Sequence, residues 1–177
     1  MDFQTPWIKY GVIYGLISTV VLMISVYLFK IGIWSQFLIS IVTMLTLFFL
    51  ASKDQKEQNS GFLPYGEALK VTFLTGFTGS VIYGLITIIM IFLIDSDMKD
   101  FMIQLNLEFG ESMMRFLGMS EEIIEKSMEE AEEGIEDQFT PLGLILNILK
   151  GSVLTLFFAA IFSIFVKKNE NIHDIKL

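Results

Sequence analysis

TFLTGFTGSVIYG, residues 72–84, sets three glycines in an otherwise mostly apolar run, and its reading decides the fold. A phosphate-cradling loop needs backbone N–H groups exposed at a strand-to-helix turn. Neither G-x-G-x-x-G nor G-x-x-x-x-G-K-[ST] occurs in the chain. The stretch also lies within the apolar run 71–94. In lipid, a loop there would leave backbone groups without partners. The spacing points to a membrane helix instead. Thr72, Gly76, Ser80 and Gly84 recur every four residues and form a groove of small side chains, widened by Thr75 and Gly79. Such grooves bring two helices close enough for dispersion and Cα–H···O contacts.

Matching series stand elsewhere. Gly151, Thr155, Ala159 and Ser163 repeat the pattern near the C-terminus, and Gly11, Gly15 and Thr19 near the N-terminus. These pairings predict that the 71–94 helix packs on the last apolar segment and on the first. Tyr83 falls near the middle of its segment, where a hydroxyl needs a partner. Thr155, Ser163 and Thr19 are the candidates, and a polar path or ligand pocket is the functional alternative.

Outward from this stretch, the apolar residues fall in four runs, about 8–29, 33–51, 71–94 and 142–166. Each reaches about the 20 residues that cross a bilayer. The 53% hydrophobic content, 17 Phe and mean hydropathy of +0.62 exceed what a soluble fold of 177 residues can cover with polar surface. The first run is too long for a signal-peptide core, lacks an A-x-A site, and is expected to be retained. The fold class is therefore an all-α membrane protein, one domain with four transmembrane helices. Residues 95–140 form an acidic extracytoplasmic helical hairpin between helices three and four.

Charge sets the expected orientation. Lys9, Lys53, Lys56, Lys70, Lys167, Lys168 and Lys176 share one side of a four-span topology. Lys30, Lys99, Arg115 and Lys126, with Lys150 at the edge, are spread over a longer polar length on the other. The positive-inside rule then places both termini in the cytoplasm and 95–140 outside. Trp7 and Tyr10 at one interface, and Tyr27 and Trp34 at the other, fit the aromatic belts.

The 95–140 segment reads as two amphipathic helices. DMKDFMIQLNLEFGESMMRFLG aligns Met102, Leu105, Phe109, Met113 and Phe116, with Asp97 as N-cap and Gly118 as stop. SEEIIEKSMEEAEEGIEDQF starts at Ser120 and aligns Ile124, Met128, Ala131 and Ile135. Thr140 and Pro141 then open the last span as N-cap and first helical residue. The two stripes can pack on each other, on the bilayer surface or on a partner.

Few residues here carry chemistry. The chain has no Cys and one His, His173, which leaves no thiol chemistry and no His-centred cage or triad. A net charge of −8 argues against nucleic acid. DSDMKD clusters Asp95, Asp97 and Asp100, but Met98 and Lys99 break the calcium-loop pattern. The expectation is no metal, no cofactor and no enzyme. The remaining polar candidates sit mainly at the membrane edges. Glu67 and Lys70, three apart, share a helix face and can pair. Lys150 is about a turn below the outer surface and can snorkel toward the acidic segment. Asn147, one turn earlier, can cap or bind there.

IKYGVIYGLIS in the first span, FLPYGEALKVTFLTG entering the third, IYGLI with LIDSD at its outer end, and LKGSVLTLFFAAIFSIFVKK in the fourth carry a resemblance. The chain resembles, over essentially its whole length, a Bacteroidetes family of small integral membrane proteins known only as a domain of unknown function. That family usually has Pro within ID-x-D, where this chain has Ser96. The resemblance implies the architecture and a bacterial inner (cytoplasmic) membrane, and it brings no activity or cofactor.

Two functions follow as expectations. The first is a non-enzymatic membrane protein that assembles with itself or binds an envelope partner through the acidic hairpin. The second is a small transporter or channel-like protein for cations or small solutes, with Glu67, Tyr83, Asn147 and Lys150 as its polar path.

Overall fold

The computed structural model describes residues 5–28 and 31–169. Phe29, Lys30, His173 and Lys176 lie outside the described residues. Among those described there are six α-helices and no strand. Four helices are long and apolar enough to cross a membrane: α1 (Pro6–Tyr27), α2 (Ile33–Gln58), α3 (Tyr65–Ile89) and α6 (Pro141–Val166). Between α3 and α6 lie α4 (Asp97–Phe116) and α5 (Glu121–Gln138).

The helix ends follow local chemistry. Pro6 and Pro141 occupy first helical turns, where their missing N–H costs nothing. The Thr140 hydroxyl accepts from Gly143 N at 3.0 Å, so the expected cap forms. α2 runs beyond its apolar stretch, through SKDQKEQ, whose Lys, Gln and Glu are good helix formers in water. It stops where Ser60 (φ 55°) and Gly61 (φ 91°) turn left-handed, and Gly61 N reaches Lys56 O at 2.7 Å.

Two ends differ from the sequence expectation. α3 does not continue regularly to Ile94; Met90–Ile94 form a π-helical turn, closed by Asp95 N donating to Met90 O at 2.8 Å. α4 starts at Asp97 with Ser96 in the cap position. The capping carboxylate is Asp95, whose Oδ1 accepts from Asp97 N at 3.1 Å.

α3 is the central helix and packs on α1, α6 and α2. At one end of the bundle Lys9 of α1 pairs with Asp54 of α2 at 2.8 Å. There also Leu63 and Lys168 exchange two backbone hydrogen bonds of 2.8 Å, tying the α2–α3 connection to the segment after α6. At the opposite end the Tyr27 hydroxyl donates to Asp95 Oδ2 at 2.5 Å. A core of Leu22, Ile91, Met98, Met102, Ile135, Phe139 and Leu144 there joins the bundle to α4 and to the end of α5. The α4 stripe is buried at Met102 and half-buried at Leu105, Phe109 and Met113, while Phe116 is exposed. On α5, Ile124 and Ile135 are buried but Ala131 is exposed.

Leu16, Val20, Leu38, Val42, Val153 and Phe165 are among many large apolar side chains left on the outside of the four long helices. Facing lipid tails they need no further cover, and the helices satisfy their own backbone groups.

Candidate functional site

The small residues of α3 set how closely its neighbours approach. A Cβ on Gly76 would stand 2.5 Å from Thr155 Cγ2 of α6, and one on Gly84 would overlap Ile148 Cδ1. Further along, the Thr72 and Ser163 hydroxyls lie 3.1 Å apart, both fully buried. Ala159 is fully buried in a cluster with Met44 and Phe48. On the other face Gly11 and Gly15 admit α3: a Cβ on Gly15 would come within 2.8 Å of Gly79 O. The Tyr14 ring occupies the space above Gly79.

Two positions of the expected grooves do something else. Gly151 is exposed, and nothing lies within 4 Å of a Cβ built on it. It is therefore not a close-packing residue. Ser80 does not bridge helices either; it lines two cavities. The first, about 310 Å³, lies between α3, α4, the end of α5 and α6, where Tyr83, Thr87, Asn106, Gln138 and Asn147 supply polar groups. The second, about 280 Å³, lies between α1, α2 and α3, with Tyr14, Ser18, Gln36 and Ser40 in its wall. Ser80 and Tyr83 border both, so the two adjoin as a cleft along the half of α3 nearer α4. Among the described residues its lining carries hydroxyls and amides and no charged side chain.

None of the partners expected for Tyr83 turns toward it. Thr155 donates to Gly151 O at 3.0 Å, Thr19 to Gly15 O at 2.8 Å, and Ser163 to Ala159 O at 2.6 Å. Hydroxyls in helices satisfy themselves on the preceding turn, which sequence spacing alone does not reveal. Asn147 Nδ2 donates to Gln138 O at 3.2 Å and so ties the last turn of α5 to α6. Lys150 is exposed and forms no ion pair among the described residues.

Glu67 and Lys70 stand at the other end, in a third cavity of about 340 Å³ with Trp7, Gln55 and Asn59. They do not pair with each other; Asn59 Nδ2 donates to Glu67 Oε2. The layer between this cavity and Tyr83 is closed by Phe48, Thr72 and Thr75, all fully buried, and by Tyr10, Leu47, Ala51 and Val71 around them. The four polar candidates thus fall in three places: Tyr83 and Asn147 in one cavity, Glu67 in another, and Lys150 outside both.

Two links at the ends, Asp54 with Lys9 and Tyr10 and Arg115 with Glu121, fall outside helical spacing. Asp54 accepts from Lys9 Nζ at 2.8 Å and from the Tyr10 hydroxyl at 2.9 Å. The residues are 45 and 44 apart, beyond any helical spacing. Arg115 clasps Glu111 at 3.0 Å and also Glu121, joining α4 to α5. First Glu121 and then Glu111 raise its guanidinium above its ordinary pKa. The DSDMKD carboxylates do not converge. Among the described residues no three Asp, Glu, His or Cys side chains come together as metal ligands.

The geometry defines a multi-pass α-helical membrane protein with a cleft, lined among the described residues by neutral side chains, at one end of its bundle. The chain belongs to the DUF4199 family, described as proteins of unknown function, which matches residues 9–168. No curated protein and no solved structure matches the chain.

Proposed function

We propose that this protein is a non-enzymatic component of a bacterial inner membrane, of the Bacteroidetes type its resemblance implies. In this reading both termini are cytoplasmic and α4 and α5 form an acidic hairpin outside, held out for an envelope partner. One observation carries the reading: α5 is anchored and charged at once. Ile135 and Phe139 are buried in the core that also holds Leu22, Ile91 and Leu144 of the long helices. Glu121, Glu122, Glu125, Glu129, Glu130, Glu132 and Glu136 of the same helix are exposed. A rigidly mounted acidic face steers and orients a basic partner at little entropic cost. Orientation rests on Lys53, Lys56, Lys70, Lys167 and Lys168 at the end where Lys9 and Asp54 meet. Among its described lining residues the cleft around Tyr83 has no carboxylate, His or Lys to move a proton, which favours a non-enzymatic role.

A photo-crosslinker at Glu129 in native membranes tests this. Adducts heavier than the monomer are expected, and their loss when the glutamates become glutamines. Monomer alone would remove the support.

The cleft favours a second reading, a transporter for small uncharged solutes. Hydroxyls and amides match a neutral solute better than an ion. The closed layer at Phe48 then has to open for passage. Liposome uptake of a neutral polyol that Tyr83→Phe and Ser80→Ala leave unchanged would reject this reading.

A further inference from the structure

At the α4–α5 turn, four large apolar side chains are left outside: Phe116 (76% exposed), Leu117 (63%), Met119 and Ile123. The turn itself is fixed. Gly118 adopts φ +74°, Met119 N bonds Met114 O at 3.1 Å, and Arg115 bridges Glu111 and Glu121. In water such a patch is costly. Its surroundings say what covers it.

Trp34 stands in the first turn of α2, a membrane-crossing helix. Below it Leu38 and Val42, at successive intervals of four, are 60% and 62% exposed and form a lipid-facing stripe. The Phe116 ring lies 5.9 Å from the Trp34 ring, and Phe109 packs on Trp34 at 6.1 Å and on Phe37 at 5.7 Å. Phe116 therefore extends the lipid-facing stripe past the end of the span, at the depth where interfacial tryptophans sit. We propose that the α4–α5 turn docks into the bilayer interface at that end of the bundle, with Phe116, Leu117 and Ile123 immersed among the headgroups and upper acyl chains. The occupant is the lipid surface, because the patch is continuous with surface that lipid already covers. Glu121, Glu122 and Glu125 beside it suit zwitterionic rather than anionic headgroups. Docking also fixes which way the acidic side of α5 faces: away from the membrane. The proposal stands independently of any protein partner.

The chain has no Cys, so single cysteines report without background. Spin labels at Leu117→Cys and Ile123→Cys are placed in the full chain, reconstituted in phosphatidylcholine vesicles. Leu38→Cys serves as the lipid reference and Glu129→Cys as the water reference. Collision with oxygen and with a water-soluble nickel chelate is measured. The expected result is that both tip labels favour oxygen severalfold over Glu129→Cys, at a depth shallower than Leu38→Cys. Tip labels as open to nickel as Glu129→Cys would overturn the proposal. Tip labels shielded from both reagents would also overturn it and point to protein as the cover. A Phe116→Ser variant carrying the Leu117→Cys label is expected to lift the label toward water; an unchanged depth would count against immersion through Phe116.

Discussion

Adding a side chain at Gly76 separates two roles that glycine can play in a membrane helix. The residue touches Thr155 and the Phe48 ring so closely that a leucine would force α3 and α6 apart. At Gly151 nothing lies within 4 Å of an added Cβ, so a larger side chain has room there. Gly76→Leu is expected to cost about 1–3 kcal/mol, the usual penalty of overpacking, and Gly151→Leu to be close to neutral. Reversible unfolding in mixed detergent measures both, and equal losses would refute the seam. The Thr72–Ser163 contact allows a second test. In a double-mutant cycle of Thr72→Val and Ser163→Ala, the coupling should be about 0.6 kcal/mol, because both hydroxyls keep bonds to their own helices. At this scale Gly76 and Gly84 were legible in the four-residue spacing. The exposure of Gly151 and the surroundings of Tyr83 were not, because spacing gives a helix face and not where two helices diverge.

Elements are joined at both ends by contacts that no periodicity announces. Lys9, Tyr10 and Asp54 tie the start of α1 to the part of α2 that leaves the apolar run. The pair is partly exposed, so its contribution is small. Asp54→Ala is expected to lower stability by about 1 kcal/mol or less at low salt, and by less still at 0.5 M salt. Denaturant titrations at two ionic strengths measure this; a loss that grows with salt would contradict an ionic tie. The apolar stripe of α4 was legible from Met102 to Phe116, yet its target was not. Trp34 read as a membrane anchor also serves as the surface on which Phe109 and Phe116 rest. Regular continuation of α3 to Ile94 failed for a local reason. The π turn redirects Ile91 inward and leaves Phe92, Leu93 and Ile94 to lipid, and hydropathy does not distinguish the two geometries.

For the whole molecule, the four apolar runs made the architecture legible, whereas the cleft depended on how far helices splay. The cleft is asymmetric along the membrane normal. Ser80 and Tyr83 border space that extends toward α4 and α5, whereas Phe48, Thr72 and Thr75 close the bundle beneath them. A thiol at Ser80 should therefore be reached by water from the α4–α5 end alone. In Ser80→Cys, a membrane-impermeant maleimide is expected to label from that side and not from the side of Glu67. Glu67→Cys is expected to show the reverse. Sealed vesicles of both orientations, with labelling read by gel shift, decide the matter and also report which end faces the cytoplasm. Phe48→Ala removes the largest fully buried side chain of the closing layer. If the layer is the barrier, that substitution admits reagent to Ser80→Cys from the Glu67 side. Labelling of Ser80→Cys from both sides with Phe48 intact would instead mean that the bundle opens through its full depth.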